Sequence, residues 1–83
     1  MPETGDGHPL RNRIKVERAR HDLTQQQLAD LVGVTRKTIN TVETGRFIPS
    51  TVLALRLAQA LHTRVDDLFH LADDHPTGTP AGF

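Results

Sequence analysis

Residues 24–45 read TQQQLADLVGVTRKTINTVETG, and this stretch decides the fold. Thr24, followed three positions later by Gln27, forms a capping box: a hydroxyl accepts from the third helical amide, and an amide side chain reaches back. Leu28, Ala29 and Val32 then fall on one helical face. Gly33 stops that helix as a left-handed residue does, without a Cβ penalty. Thr35 caps a second helix at once. In that helix Ile39 and Val42 are three apart and face inward, which leaves Arg36, Lys37, Asn40 and Thr41 facing outward. Gly45 ends it.

Two short helices joined by Gly33-Val34-Thr35 cross sharply, which is the geometry of a helix-turn-helix. The second helix of such a unit enters the major groove of duplex DNA with its N-terminal residues leading. The outward residues suit that task. Arg36 can donate twice to guanine O6 and N7, and Lys37 can do so less rigidly. Asn40, one turn on, can pair bidentately with adenine, and Thr41 can touch a thymine methyl. Gln25 and the free N–H groups beside it favour a phosphate, and Arg46, just past Gly45, can hold the backbone on the other side. Thr35, at the tip of the reading helix, is placed with these backbone contacts. The competing explanation, an ordinary solvated helix face, is not removed by spacing alone.

Outward from this unit the chain continues to read as helix. Residues 10–21 carry Ile14, Val16 and Ala19 as a modest apolar stripe among charges. After Pro49, Ser50 caps a helix whose inner stripe is Leu53, Ala54, Leu57, Ala58 and Leu61. A short fifth helix spans residues 65–71, with Asp66 and Asp67 in its first turn, where the helix dipole favours acids. Leu68 and Phe69 pack inward. No segment alternates as a strand does. The expected fold is all-α: a compact five-helix bundle with a central helix-turn-helix over residues 10–71. Residues 1–9 and 72–83 are rich in Pro, Gly and Thr and read as flexible tails.

The 83 residues suffice for one domain. With no cysteine, disulfides, thiolate metal sites and a cysteine nucleophile are excluded. With no Trp or Tyr and three Phe, a stacking platform for single strands is disfavoured. No apolar run approaches the roughly 20 residues of a membrane span. Residues 1–10 are polar and show no secretory signal, so a soluble cytoplasmic protein is expected. The net charge is zero, but its distribution is uneven. Within residues 11–46 eight basic side chains face four acidic ones; beyond residue 46 only Arg56 and Arg64 oppose Asp66, Asp67, Asp73 and Asp74. Phosphate binding needs a local basic face, and the balance favours one around the two central helices.

The run NRIKVERARHDLTQQQLADLVGVTRKTINTVETGRFIPSTVLALRLAQALHTRVDDLF, residues 12–69, resembles the lambda-repressor-like (Cro/cI-type, XRE) family of DNA-binding domains. Three motifs carry the resemblance: LTQQQLADLVGV, TRKTINTVETGR and the IPS before the fourth helix. The TINTVETGR segment is most similar to small stand-alone regulators of bacteria and archaea. The resemblance implies five helices with the second and third as the reading unit. It places Gln25 at a phosphate, Arg36, Lys37, Asn40 and Thr41 at bases, and Arg46 at the backbone. It also implies an ion pair between Arg18 and Glu43 that ties the first helix to the third. The chain departs from the family pattern at four positions. Glu17 stands where the family commonly has Leu, which leaves Val16 to take over the packing or the helix looser there. Asp22 and His62 replace glycines, and His62 is thereby expected in a left-handed conformation. Arg64 replaces a capping Ser.

The expected function is a sequence-specific transcriptional regulator, a repressor, acting as a homodimer on an inverted-repeat operator without a cofactor. Helix five, through Val65, Leu68, Phe69 or Leu71, is one candidate dimer surface. The competing function is an antitoxin or other protein-binding module of the same fold. A metal site at His70, Asp73, Asp74 and His75 is disfavoured because histidines five apart do not share a helix face. No nucleophile, base and orienting group form a catalytic set.

Overall fold

The computed structural model describes residues 9–72. It contains β1 (Leu10–Asn12), α1 (Ile14–Arg20), α2 (Gln25–Val32), α3 (Arg36–Glu43), α4 (Thr51–Ala60), α5 (Val65–Leu68) and β2 (Phe69–Leu71). Three of the helices start as their cap chemistry dictates. Thr24 Oγ1 accepts from the Gln27 amide at 3.0 Å, while Gln27 Oε1 accepts from the Thr24 amide at 2.9 Å. Thr35 Oγ1 accepts from Thr38 N at 3.2 Å and Ser50 Oγ from Leu53 N at 3.1 Å. Each cap satisfies an amide that the first helical turn leaves without an intrahelical partner. Gly33 closes α2 at φ +78°, and Gly45 follows α3 at φ +80°.

The core is drawn from all five helices: Ile14, Leu28, Ala29, Val32, Ile39, Val42, Leu53, Leu57, Ala58, Leu61 and Leu68. Leu23, Val34, Ala60, Val65 and Phe69 pack against it from the rim. The apolar stripes of α2, α3 and α4 therefore point where their periodicity sends them. Of the α1 stripe only Ile14 does. Val16 is 49% exposed and Ala19 is exposed, whereas Glu17 is 8% exposed. Val16 does not replace the family's Leu. Glu17 itself turns inward, and its carboxylate accepts from the exposed Arg20 Nη1 at 3.3 Å.

The all-α expectation is corrected at the ends of the fold. Residues 10–12 and 69–71, expected as the first turn of α1 and the last turn of α5, instead form an antiparallel two-stranded ribbon. Leu10 lies opposite Leu71, Arg11 opposite His70 and Asn12 opposite Phe69. The Arg13 amide donates to Leu68 O at 2.8 Å, and Ala72 N donates to Pro9 O at 2.6 Å. A three-residue strand is too short to display alternation, and its partner lies nearly sixty residues away, so neither strand has a local signature. The remainder of both expected tails lies outside the described residues.

Asp22 and His62 both adopt φ +55°, in the left-handed region that the replaced glycines favour. Arg64 makes no side-chain cap for α5. It turns instead to Asp66, with Nε to Oδ1 at 3.2 Å. That hydrogen bond holds the Asp66 carboxyl below its ordinary value and raises the Arg64 guanidinium. Among the described residues no helix is long and apolar enough to cross a membrane.

Candidate nucleic-acid interface

Helix α3 buries Ile39 and Val42 completely or nearly so and turns Arg36, Lys37 and Asn40 to solvent. Thr41 is half-buried, its hydroxyl donating to Thr38 O at 2.9 Å. Lys37, Asn40, Thr41, Thr44 and Arg46 line one shallow concave surface along the exposed side of the helix. The Arg46 amide donates to Thr41 O at 2.9 Å, which folds the chain back after Gly45 and sets Arg46 beside the helix end. Thr35 sits at the N-terminal tip, its hydroxyl engaged by Thr38.

Gln25 links the two helices. Its Nε2 donates to Asn40 Oδ1 at 3.2 Å and to Glu43 Oε1 at 3.1 Å. Its Oε1 accepts from Arg36 Nη1 at 3.3 Å. Residues expected to touch phosphate and bases are thus held against one another. Behind them Arg18 grips Glu43 with two nitrogens, Nε to Oε2 at 2.7 Å and Nη2 to Oε1 at 3.2 Å. Its third nitrogen donates to Leu23 O at 2.9 Å. The Arg18 and Glu43 side chains are 16% and 6% exposed, so the pair is largely sheltered from solvent screening. The contiguous chain Leu23–Arg18–Glu43–Gln25–Asn40 ties the loop before α2, α1, α3 and α2 together.

One member of the site escaped the sequence reading. Asn12 Nδ2 donates to Val42 O at 3.0 Å and Glu43 O at 3.4 Å, at the C-terminal end of α3. An Asn shortly before a helix signals a cap for α1, and Asn12 Oδ1 does accept from Ile14 N at 3.0 Å. Nothing in the local sequence indicates its reach to a helix thirty residues on. Among the described residues no three His, Cys, Asp or Glu side chains come together as a metal site requires. Asp73, Asp74 and His75 lie outside the described residues.

A capped pair of short helices joined through Gly33, with an apolar inner face and a polar outer one on the second, defines a helix-turn-helix protein. The chain belongs to the lambda-repressor-like (XRE) helix-turn-helix family: the family model described as helix-turn-helix matches residues 14–68. Its relatives include an HTH-type transcriptional regulator of Methanothermobacter thermautotrophicus, 46% identical over 66 residues, covering 78% of this chain and 96% of the relative. The HTH-type transcriptional regulator YgzD of Bacillus subtilis is 36% identical over 66 residues, covering 80% of this chain and all of the relative. Among solved structures, the restriction-modification controller protein C.AhdI of Aeromonas hydrophila superposes with a TM-score of 0.62 at 33% identity, over 65% of this chain and 82% of that one.

Proposed function

We propose that this protein is a sequence-specific, duplex-DNA-binding transcriptional regulator, a repressor, that reads the major groove with α3. The observation that carries the reading is the division of α3: Ile39 and Val42 seat the helix in the core, while Arg36, Lys37 and Asn40 stand exposed on the opposite side. Arg36, Lys37, Asn40 and Thr41 are assigned to bases, and Gln25, Thr35 and Arg46 to the backbone. The family membership, relatives described as transcriptional regulators and a restriction-modification controller of like fold all support this assignment.

We assign the acting form as a homodimer on an inverted repeat, because two-fold proteins match two-fold sites and one small reading unit has limited affinity. Leu68 is fully buried and is withdrawn as a dimer contact. Val65 and Phe69 are half-buried, and Leu71 is exposed.

The test is selection of bound sequences from a random duplex library, followed by titration of the winner with the native chain, Arg36→Ala and Asn40→Ala. A palindromic site is expected, with each substitution costing about 1–3 kcal/mol and relaxing the preference at one defined position. No enrichment, with weak binding that vanishes as salt rises, would reduce the interaction to bare electrostatics and favour the protein-binding alternative.

A further inference from the structure

Every helix leaves its last carbonyls without intrahelical partners, and an end that must be placed accurately needs an external donor. At the C-terminal end of α3 part of that donation comes from the chain itself: Thr44 N donates to Asn40 O at 3.0 Å, Gly45 N to Val42 O at 3.1 Å and Arg46 N to Thr41 O at 2.9 Å. Phe47 N and the Thr44 hydroxyl add to it at Thr41 O and Asn40 O. Val42 O and Glu43 O also receive a donor from a distant part of the chain, Asn12, whose single carboxamide bridges two helix ends. Its Nδ2 meets Val42 O and Glu43 O at the end of α3, and its Oδ1 meets the Ile14 amide at the start of α1.

Asn12 is itself fixed from the far side. It lies opposite Phe69 in the ribbon, and the next residue's amide donates to Leu68 O. Leu68 is fully buried, and Phe69 packs on the core. The end of α5 is therefore coupled, through one short ribbon and one side chain, to the end of the helix that carries the reading residues. Glu43 is held twice, its carboxylate by Arg18 and Gln25 and its carbonyl by Asn12.

We propose that Asn12 is a positioning residue for DNA recognition: its amide N–H groups set the C-terminal end of α3, and with it the angle at which Arg36, Lys37 and Asn40 enter the groove. The proposal rests on the reading of α3 as the recognition helix. Asn12→Asp separates its two functions. The carboxylate keeps an acceptor for Ile14 N and suits the N-terminus of α1, but loses the donor and faces two carbonyls. Asn12→Ala loses both.

The experiment measures affinity for the selected duplex and for an unrelated duplex at one salt concentration, together with backbone hydrogen exchange at Thr44, Gly45 and Arg46. Both variants are expected to lose about tenfold in the ratio of specific to non-specific binding, the share of one well-made base contact. Both variants should lower the thermal midpoint, since one leaves two carbonyls without this donor and the other sets a carboxylate against them, and non-specific binding should fall by less than specific binding in each. Exchange at the three amides should quicken relative to the amides of α2. Loss of the ratio in Asn12→Ala alone would mean that Asn12 serves only as the cap of α1, and would overturn the proposal. An unchanged ratio in both variants would also overturn it. Should the native chain select no duplex, the recognition reading fails, and exchange still decides the role of Asn12: quickened exchange in Asn12→Asp keeps it as the residue that fixes the end of α3, and native exchange removes it.

Discussion

Glu43 is an acid that the fold uses as a fastener. Its side chain is 6% exposed, accepts two hydrogen bonds from Arg18 and one from Gln25, and so cannot serve as a free carboxylate at the interface. Glu43→Ala leaves the sheltered Arg18 guanidinium without its counter-charge, a change that costs about 3–5 kcal/mol for a buried pair. Urea unfolding should show that loss, and a change of less than about 1 kcal/mol would class the pair with exposed ones. The same substitution releases Gln25 from one of its anchors, so base discrimination at the position assigned to Asn40 in the proposed reading should weaken as well. His62 poses the opposite case. At φ +55° it occupies a conformation that costs a side-chain-bearing residue about 1–2 kcal/mol, and glycine gives back about 0.5–1 kcal/mol in chain entropy. His62→Gly is expected to raise the unfolding midpoint slightly, by up to about 1 kcal/mol in stability. A lower midpoint would show that the ring contact between His21 and His62, centroids 5.5 Å apart, outweighs the backbone strain.

Among the elements, α2 and α3 are the most completely specified by local chemistry. A capping box, a left-handed glycine, a second hydroxyl cap and a second glycine follow one another within 22 residues. Gly33 is the joint. The space around it is ample, since an added Cβ would lie 4.0 Å from its nearest neighbour, Arg56 Nη1. Its φ of +78° is what demands glycine, so Gly33→Ala should cost about 1–2 kcal/mol through the backbone alone. In urea the midpoint should fall with the slope unchanged, since a change of slope would mean altered compactness rather than local strain. The terminal ribbon is the least specified element. FHL after α5 and LRN before α1 are each compatible with a helical turn. Pairing of Asn12 with Phe69 decides between the two, and that pairing joins residues far apart in the sequence.

For the whole molecule the question is what a small core leaves exposed. Leu31, Val52 and Leu55 lie on the outer sides of α2 and α4, and Phe47 and Ile48 on the loop after α3, all about half exposed or more. A domain of this size has a thin margin of stability, and a second subunit is one way to widen it. Light scattering at micromolar concentration is expected to return twice the chain mass of 9.2 kDa. A single-chain mass both with and without duplex would contradict the homodimer and, with it, the expectation of an inverted-repeat site.

The sequence by itself determined the five helices, the faces that α2, α3 and α4 bury, and which side chains α3 offers to solvent, because caps, glycines and a 3.6-residue period act within a few positions of each other. It also marked His62 as left-handed and Arg18 with Glu43 as partners, though only through the resemblance to a family. Tertiary structure alone decided that Glu17 rather than Val16 turns inward, that Gln25 binds Arg36 and Asn40, and that residues 10–12 pair with residues 69–71 as a ribbon. It alone brought Asn12 to the end of α3. These are hydrogen bonds and burials between residues from 11 to about 60 positions apart, and no local period or cap records which distant partner a side chain will meet once the core has closed.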